Sequence, residues 1–205
     1  MSLPVQHRAP FFFIANQACL DFINTDLVMN GQPSDLLSSF QDLVAWLVQA
    51  GLLTEKDAKG IEGKGSRDEL ETLNLAKAFR KTMRDMAERL AAHKPVPQAA
   101  LDLINQLLRH RVGYAQVTRR SSTFERRYEA GFEDANQVLG LLAEAASDLL
   151  CACDLSLVKK CQNPACVLFF YDTTKNHARH WCSMDLCGNR SKVAAHYRRH
   201  RKHRA

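Results

Sequence analysis

Several features are missing from this 205-residue sequence. No apolar run approaches the ~18–20 residues needed to cross a bilayer, so no membrane-spanning helix is expected. The short apolar stretch Phe11–Ile14 has no basic leader and no long hydrophobic region, and it does not read as an export signal. There is no Walker loop, no G-x-S-x-G elbow and no H-E-x-x-H pair, so nothing points to an enzyme. Cysteine is nearly absent from the first three quarters: of seven, only Cys19 precedes Cys151. An odd count without an export signal argues against a disulfide framework. With 46% hydrophobic and 24% charged residues, a mainly disordered chain is also excluded. The expectation is a folded, cytoplasmic protein.

What is present is unevenly placed. From Cys161 onward there are nine Lys/Arg, two acids (Asp172 and Asp185) and no glutamate, a balance of +7. The first 160 residues hold nineteen basic and twenty acidic residues, so the net charge of +6 resides entirely in the last 45. A near-neutral body joined to a basic module suits a polyanionic partner, most often nucleic acid. A solvated charge run that maintains solubility is the plainer reading of charge alone.

The body reads as mostly α (α+β). Phe11–Ala15 and Ala18–Ile23 are apolar and flank Asn16-Gln17, a pattern that predicts a β-hairpin ending at Asn24-Thr25-Asp26. Ser39 with Asp42 resembles a capping box, opening a helix that buries Leu43, Trp46 and Leu47 and stops at Gly51. Thr54 caps a short helix to Gly60, and Gly60, Gly63 and Gly65 form a connector. Ser66 and Glu69 open the longest helix, with Leu70, Leu73, Ala76, Phe79, Met83, Met86 and Leu90 at helical spacing, ended by Pro95 and Pro97. A further helix carries Leu101, Ile104, Leu107 and Leu108. Val112–Val117 and Phe124–Tyr128 flank Arg119–Ser122 as a second hairpin, and Ala135–Leu150 is helical again. Composition changes near residues 156–160, giving an expected body over 1–155 and a second module over 156–205.

That module carries the chemistry. Cys161-Gln-Asn-Pro-Ala-Cys166 and Cys182-Ser-Met-Asp-Leu-Cys187 are two C-x4-C pairs within 27 residues. Four thiolates fill the tetrahedral shell of Zn²⁺ and leave no open position, so the spacing predicts one structural zinc ion. A purely apolar role for four cysteines has no spacing argument behind it, and neither has replacement of one by His177 or His180. Asn163-Pro164 supplies a turn inside the first pair, Leu168–Tyr171 reads as a strand, and His180-Trp181 returns toward the metal. The second pair runs into a helical segment from Gly188, a treble-clef-like order. A 45-residue module with little core depends on such an ion.

The run Trp181-Cys182-Ser-Met-Asp-Leu-Cys187-Gly188-Asn189-Arg190-Ser-Lys192 closely resembles the CGNR-type zinc finger, and the first cysteine pair with Phe169-Phe-Tyr-Asp172 fits the same family. Cys19-Leu-Asp-Phe-Ile-Asn-Thr25, Asp35-Leu-Leu37, Leu43-Val-Ala-Trp-Leu47 and Gly51-Leu-Leu53 resemble the ABATE body that accompanies this finger in bacterial proteins. The resemblance implies a stress-responsive transcription regulator with a helical, ligand-sensing body and a DNA-binding finger. His180 departs from the arginine that relatives often carry there.

On a helix starting at Arg190, Val193, Ala194 and Tyr197 share a packing side, while Lys192, Ala195, Arg199 and Lys202 lie opposite, flanked by His196 and Arg198. Such a stripe suits a DNA groove or phosphate backbone, with Lys175 and Arg179 as further phosphate contacts. Two roles are open to Arg190 and Asn189: reading a base, or bonding the knuckle and capping the helix. The His200–Arg204 run reads as a sequence-independent clamp. Asn24 and Thr25 either cap the break after the first hairpin or touch a small-molecule ligand. Cys19 and Trp46 read as core, and Cys151-Ala-Cys153 lacks redox spacing. The body is expected to sense a ligand or to form a homodimer. The competing reading is a zinc-stabilised adaptor that meets RNA or protein.

Overall fold

The computed structural model describes residues 11–29, 31–61, 66–130 and 134–189. Two short elements come first, the helix α1 (Ala18–Ile23) and the antiparallel hairpin β1 (Asp26–Met29) and β2 (Gln32–Asp35), with Gly31 at φ 80° in its turn. Helices α2 (Phe40–Gln49), α3 (Glu55–Ile61), α4 (Ser66–Ala91) and α5 (Gln98–Leu108) follow. A second hairpin, β3 (Gly113–Arg120) and β4 (Thr123–Ala130), precedes α6 (Gln137–Ala152). Strands β5 (Val158–Lys160) and β6 (Phe169–Tyr171) pair antiparallel near the end. Among the described residues, no helix is long and apolar enough to cross a membrane.

Local chemistry accounts for most boundaries. Ser39 and Asp42 form the reciprocal capping box that opens α2, and Gly51 takes φ 73° just beyond it. The Thr54 hydroxyl accepts from the Asp57 amide and caps α3. Helix α4 ends at Ala91, ahead of Pro95 and Pro97. Residues 62–65, with the expected glycine connector, lie outside the described residues.

The core forms where α1, α2, α4 and α6 meet. Trp46 is fully enclosed, flanked by Phe22 at 5.3 Å and Phe13 at 6.1 Å between ring centroids. Leu73, Ala76, Phe79, Met83, Met86 and Leu90 of α4 are buried, and Val138, Leu141, Leu142, Ala145 and Leu149 of α6 face them. Leu70 is the exception, 60% exposed. Each three-residue step falls roughly 60° short of a full turn, so a string of such steps drifts around the helix and leaves Leu70 off the buried stripe. Cys19 sits in this core, where burial pushes its thiol up to about 12.

The expected first hairpin is not formed. Asn16 does take a positive φ of 62°, but Ala18–Ile23 is a helix. Its residues from Cys19 to Ile23 are all buried, the carboxylate of Asp21 included, so burial carries no period that separates strand from helix. The amides that a hairpin would have paired go elsewhere: Ile14 and Ala15 both donate to Asp21 Oδ1 at 2.9 Å. The Ala15 carbonyl accepts from the Tyr171 amide at 2.8 Å, tying the start of the described chain to β6. The core is continuous with Val158, Leu168, Phe169 and Phe170.

Candidate metal centre

Strands β5 and β6 pair Lys160 with Phe169, which closes the intervening segment into a loop. The Cys161 amide donates to the Leu168 carbonyl at 2.9 Å, and the Cys166 amide to the Asn163 carbonyl at 2.8 Å, bending the chain around Pro164. β6 therefore pairs with β5, ahead of the knuckle, and not with the returning chain at His180-Trp181. That return is stitched on separately, by the Gln162 amide donating to the His180 carbonyl at 3.0 Å. The second knuckle is a π-helical turn over Met184–Gly188. Ser183 opens it: its hydroxyl accepts from the Leu186 amide at 2.9 Å, and its carbonyl from Cys187 and Gly188. A Cβ at Gly188 would lie 2.5 Å from Met184 Sδ, at the end of an exposed side chain that would have to move aside, and 3.3 Å from Trp181 Cδ1.

These two knuckles bring Cys161, Cys166, Cys182 and Cys187 together, with all four sulfurs within 4.8 Å of one another. Tetrahedral zinc with Zn–S bonds of about 2.3 Å requires sulfurs about 3.8 Å apart. Cys166 Sγ and Cys182 Sγ are separated by 3.8 Å. The donor set and the spacing fit zinc. N–H groups point at the sulfurs, among them the Cys182 backbone toward Cys161 at 3.4 Å and Asn163 Nδ2 toward Cys187 at 3.3 Å, which orients the ligands.

The thiols titrate against each other. Hydrogen bonds from Cys166 and then Cys182 pull Cys161 down to about 2, while the contact with Cys161 pushes Cys166 up to about 12, and the contacts with Cys161 and Cys166 push Cys182 up. Cys161, Cys166 and Cys182 therefore ionise together when a cation offsets their charge, and metal uptake releases protons. Four protein ligands leave no place for a reacting water, so the zinc is structural.

Around the centre, cations are turned inward. Arg179, expected as a phosphate contact, donates to the carbonyls of Ile14 at 2.8 Å, Trp181 at 3.0 Å and Cys182, and its guanidinium lies 4.2 Å from the Phe170 ring centre. Asp172 is fully buried; burial alone would raise its pKa, but hydrogen bonds from Lys159, Thr174 and the Arg179 amide hold it well below the usual carboxylate range. Arg84 of α4 donates to Val167 of the first knuckle loop at 3.0 Å and to Ile23 at 2.6 Å. Nothing in the local sequence around Arg84 announced its role, whereas Ser183 ahead of Asp185 is a local N-cap signal absent from the elements expected above.

Asn24 and Thr25 are likewise committed. Asn24 donates to the Phe169 carbonyl at 2.8 Å and accepts from the Phe169 amide at 2.9 Å, acting as a one-residue strand against β6. The Thr25 hydroxyl donates to Phe22 and accepts from Arg80, which also holds Asp35 in a bidentate pair at 2.7 and 2.8 Å. Lys175 and Asn189 are exposed, and the Asn189 amide donates to Met184. Arg190, Lys192, His196, Arg198, Arg199 and Lys202 lie outside the described residues.

Residues 16–152 match the family model ABATE, described as "Putative stress-induced transcription regulator". The chain belongs to this family. Residues 158–200 match the CGNR zinc finger, whose segment contains all four cysteines. No individual curated protein matches. The ABATE match ends just before β5, and the finger match opens on it, so the contacts of Asn24 and Arg84 join the two matched segments.

Proposed function

We propose that this ABATE-family chain is a DNA-binding transcription regulator whose zinc finger delivers the basic segment after Cys187 to duplex DNA. The observation that carries it is the distribution of charge: residues 188–205 hold seven Lys/Arg and no acid, directly after the second knuckle. A backbone carrying one negative charge per ~1.7 Å is the natural partner for such a run. The finger's contribution is positional. Four zinc bonds and the contacts to α1 and α4 fix the point at which the basic segment begins, so phosphates are met from a defined platform. In this reading Arg179 serves that platform from within and Lys175 is the exposed phosphate contact of the described finger.

The body, residues 1–155, supplies regulation by sensing a ligand or pairing two copies, and the protein works in the cytoplasm, where thiols stay reduced. Because Asn24 and Thr25 are occupied, a ligand is better accommodated in the cleft of about 180 Å³ between β1 and the metal centre, lined by Leu27, Met29, Val167 and Leu186. The test is selection of bound sequences from a random duplex pool, with and without a chelator. Enrichment of a motif that disappears on zinc removal is the expected result. Equal or tighter binding to RNA, or no binding to either, overturns the reading.

A further inference from the structure

The β3–β4 hairpin has no role in the fold described so far. Eight residues pair with eight, Gly113 with Ala130 through Arg120 with Thr123, so the ribbon runs roughly 27 Å at about 3.4 Å per residue. Among the described residues, neither strand packs extensively on any other element, and β3 is exposed almost throughout. The tip is tight: Ser121 takes φ 53°, and the Thr123 hydroxyl donates to the Arg120 carbonyl at 3.1 Å. An isolated two-stranded ribbon is marginal in water, and this one leaves Val117 64% and Phe124 67% exposed. Its shape and side chains suit a partner.

The register sorts those side chains by face, since directly opposed residues point the same way. Val117 opposes Arg126, and Arg119 opposes Phe124, so these four share one face near the tip. The Arg119 guanidinium lies 5.0 Å from the Phe124 ring centre. The other face carries Thr118, Glu125, Arg120 and Thr123, where Arg120 reaches Glu125 at 3.8 Å. Near the tip, one face thus presents two arginines and two exposed apolar groups with no carboxylate; on the other, Arg120 and Glu125 face each other.

We propose that this ribbon is a second DNA-contacting element, its Val117/Arg119/Phe124/Arg126 face laid against a groove with the arginines on phosphates and Phe124 against the sugars or bases. The inference rests on the DNA-binding reading above and adds a contact far from the finger in sequence. The major groove is about 12 Å wide and admits a two-stranded ribbon, and apolar wedges flanked by cations recur in groove-binding arms. Charge selects DNA over a second copy of the chain. The tip from 117 to 126 holds three arginines and one glutamate, so two copies meeting there repel, whereas a polyanion is attracted.

The experiment uses the full zinc-loaded chain and a labelled 30-base-pair duplex, with affinity followed by anisotropy across salt. Arg119→Ala with Arg126→Ala should weaken binding at least tenfold at moderate salt and reduce the slope of log affinity against log salt by about 2, at about 0.9 per lost phosphate contact. Phe124→Ala should weaken binding with the slope unchanged. Arg120→Ala, on the opposite face, should shift affinity less than twofold. Zinc content and thermal unfolding confirm that each variant is folded. If the double variant binds like the native chain, or Arg120→Ala costs as much as the pair, the proposal fails while the finger reading stands. If shortening the ribbon instead halves the sedimenting mass, the ribbon is a subunit contact and the proposal also fails. If the native chain binds no duplex DNA, the finger reading falls and takes this inference with it.

Discussion

Two regions of one continuous core are held together by different forces. Between Phe40 and Leu149 the interior is made of aliphatic and aromatic side chains from long helices, and removal of apolar surface from water is the main stabilising term. From Val158 to Gly188 the chain has two three-residue strands and a π-turn, too little regular structure to build an interior. There, shape comes from sulfur, from buried carboxylate and guanidinium groups, and from hydrogen bonds reaching across to α1 and α4. Phe169 and Phe170 are buried in the finger segment, but they are covered by the body and by Arg84, Lys160 and Arg179. The finger segment therefore depends on both its ion and its neighbour.

Zinc removal tests that dependence most severely. Structural zinc contributes on the order of 10–16 kcal/mol in finger peptides. A chelator, or Cys182→Ser, should release the metal and abolish hydrogen-exchange protection of the Cys161, Gln162 and Tyr171 amides. Amides within α4 and α6 should keep most of theirs, because their bonds and their apolar neighbours lie in the body. Equal loss of protection in α4 would show that the two regions unfold as one unit, and the contrast drawn above would not hold.

Asn24 sits on the boundary and makes the second test. Its side chain satisfies both the N–H and the C=O of Phe169, whose backbone is enclosed. Asn24→Ala leaves both groups without a partner, at about 1–3 kcal/mol each. Urea unfolding of the zinc-loaded variant should show a loss of about 2–5 kcal/mol, well above the cost of deleting an exposed amide. A loss under about 0.5 kcal/mol would mean that the boundary yields and admits water.

How much of this was legible in the sequence follows from the range of the interactions. Ser39 with Asp42, Thr54 with Asp57, and Pro95 with Pro97 act within a few residues, and each marked a boundary the structure keeps. The two C-x4-C pairs were equally plain, because the ligand chemistry of zinc leaves few other reasons for that spacing. The partners of Asn24, Arg84 and Arg179 lie 145, 83 and 165 residues away, and no local pattern encodes them. Arg179 looked like a surface cation; besides the nearby carbonyls of Trp181 and Cys182, it is held by that of Ile14 from the opposite end of the chain. The helix α1 was misread for a related reason: a six-residue run with five residues buried has no amphipathic period to reveal its geometry.

Asp21 sharpens the comparison from the body's side. It is buried, accepts from Ile14 and Ala15, and faces Arg179 across the boundary; burial nonetheless raises its pKa to about 6. A raised folded-state pKa means that its stabilising contribution is full below the unfolded value of about 4 and is lost as pH rises through about 6. Asp21→Asn keeps an acceptor oxygen but does not ionise. Relative to the native chain, the variant should gain about 1.4 kcal/mol between pH 5 and pH 8, since about one pKa unit of the window lies above pH 5 and one unit corresponds to about 1.4 kcal/mol. Using the difference between the two chains cancels the protonation of the zinc thiolates, which both share. A flat difference would show that Arg179 holds Asp21 ionised in the folded state.

The smallest effect belongs wholly to the helical region. Gly140 lies in α6 where residues 110 and 111 cross it, and a Cβ there would meet the Arg111 backbone nitrogen at 3.0 Å and the His110 carbonyl carbon at 3.2 Å. Both neighbours are backbone atoms, so they yield only by moving the chain that leads into β3. Gly140→Ala gains helix propensity worth up to about 1 kcal/mol, yet overpacking against a fixed backbone costs about 1–3 kcal/mol. The net expectation is a loss of about 1 kcal/mol in urea unfolding with zinc content unchanged, because the contact is far from the sulfurs in the fold's connectivity. A stabilised variant would mean that the 110–111 segment shifts freely, and that close packing of backbone on helix is not what sets the body apart from the finger.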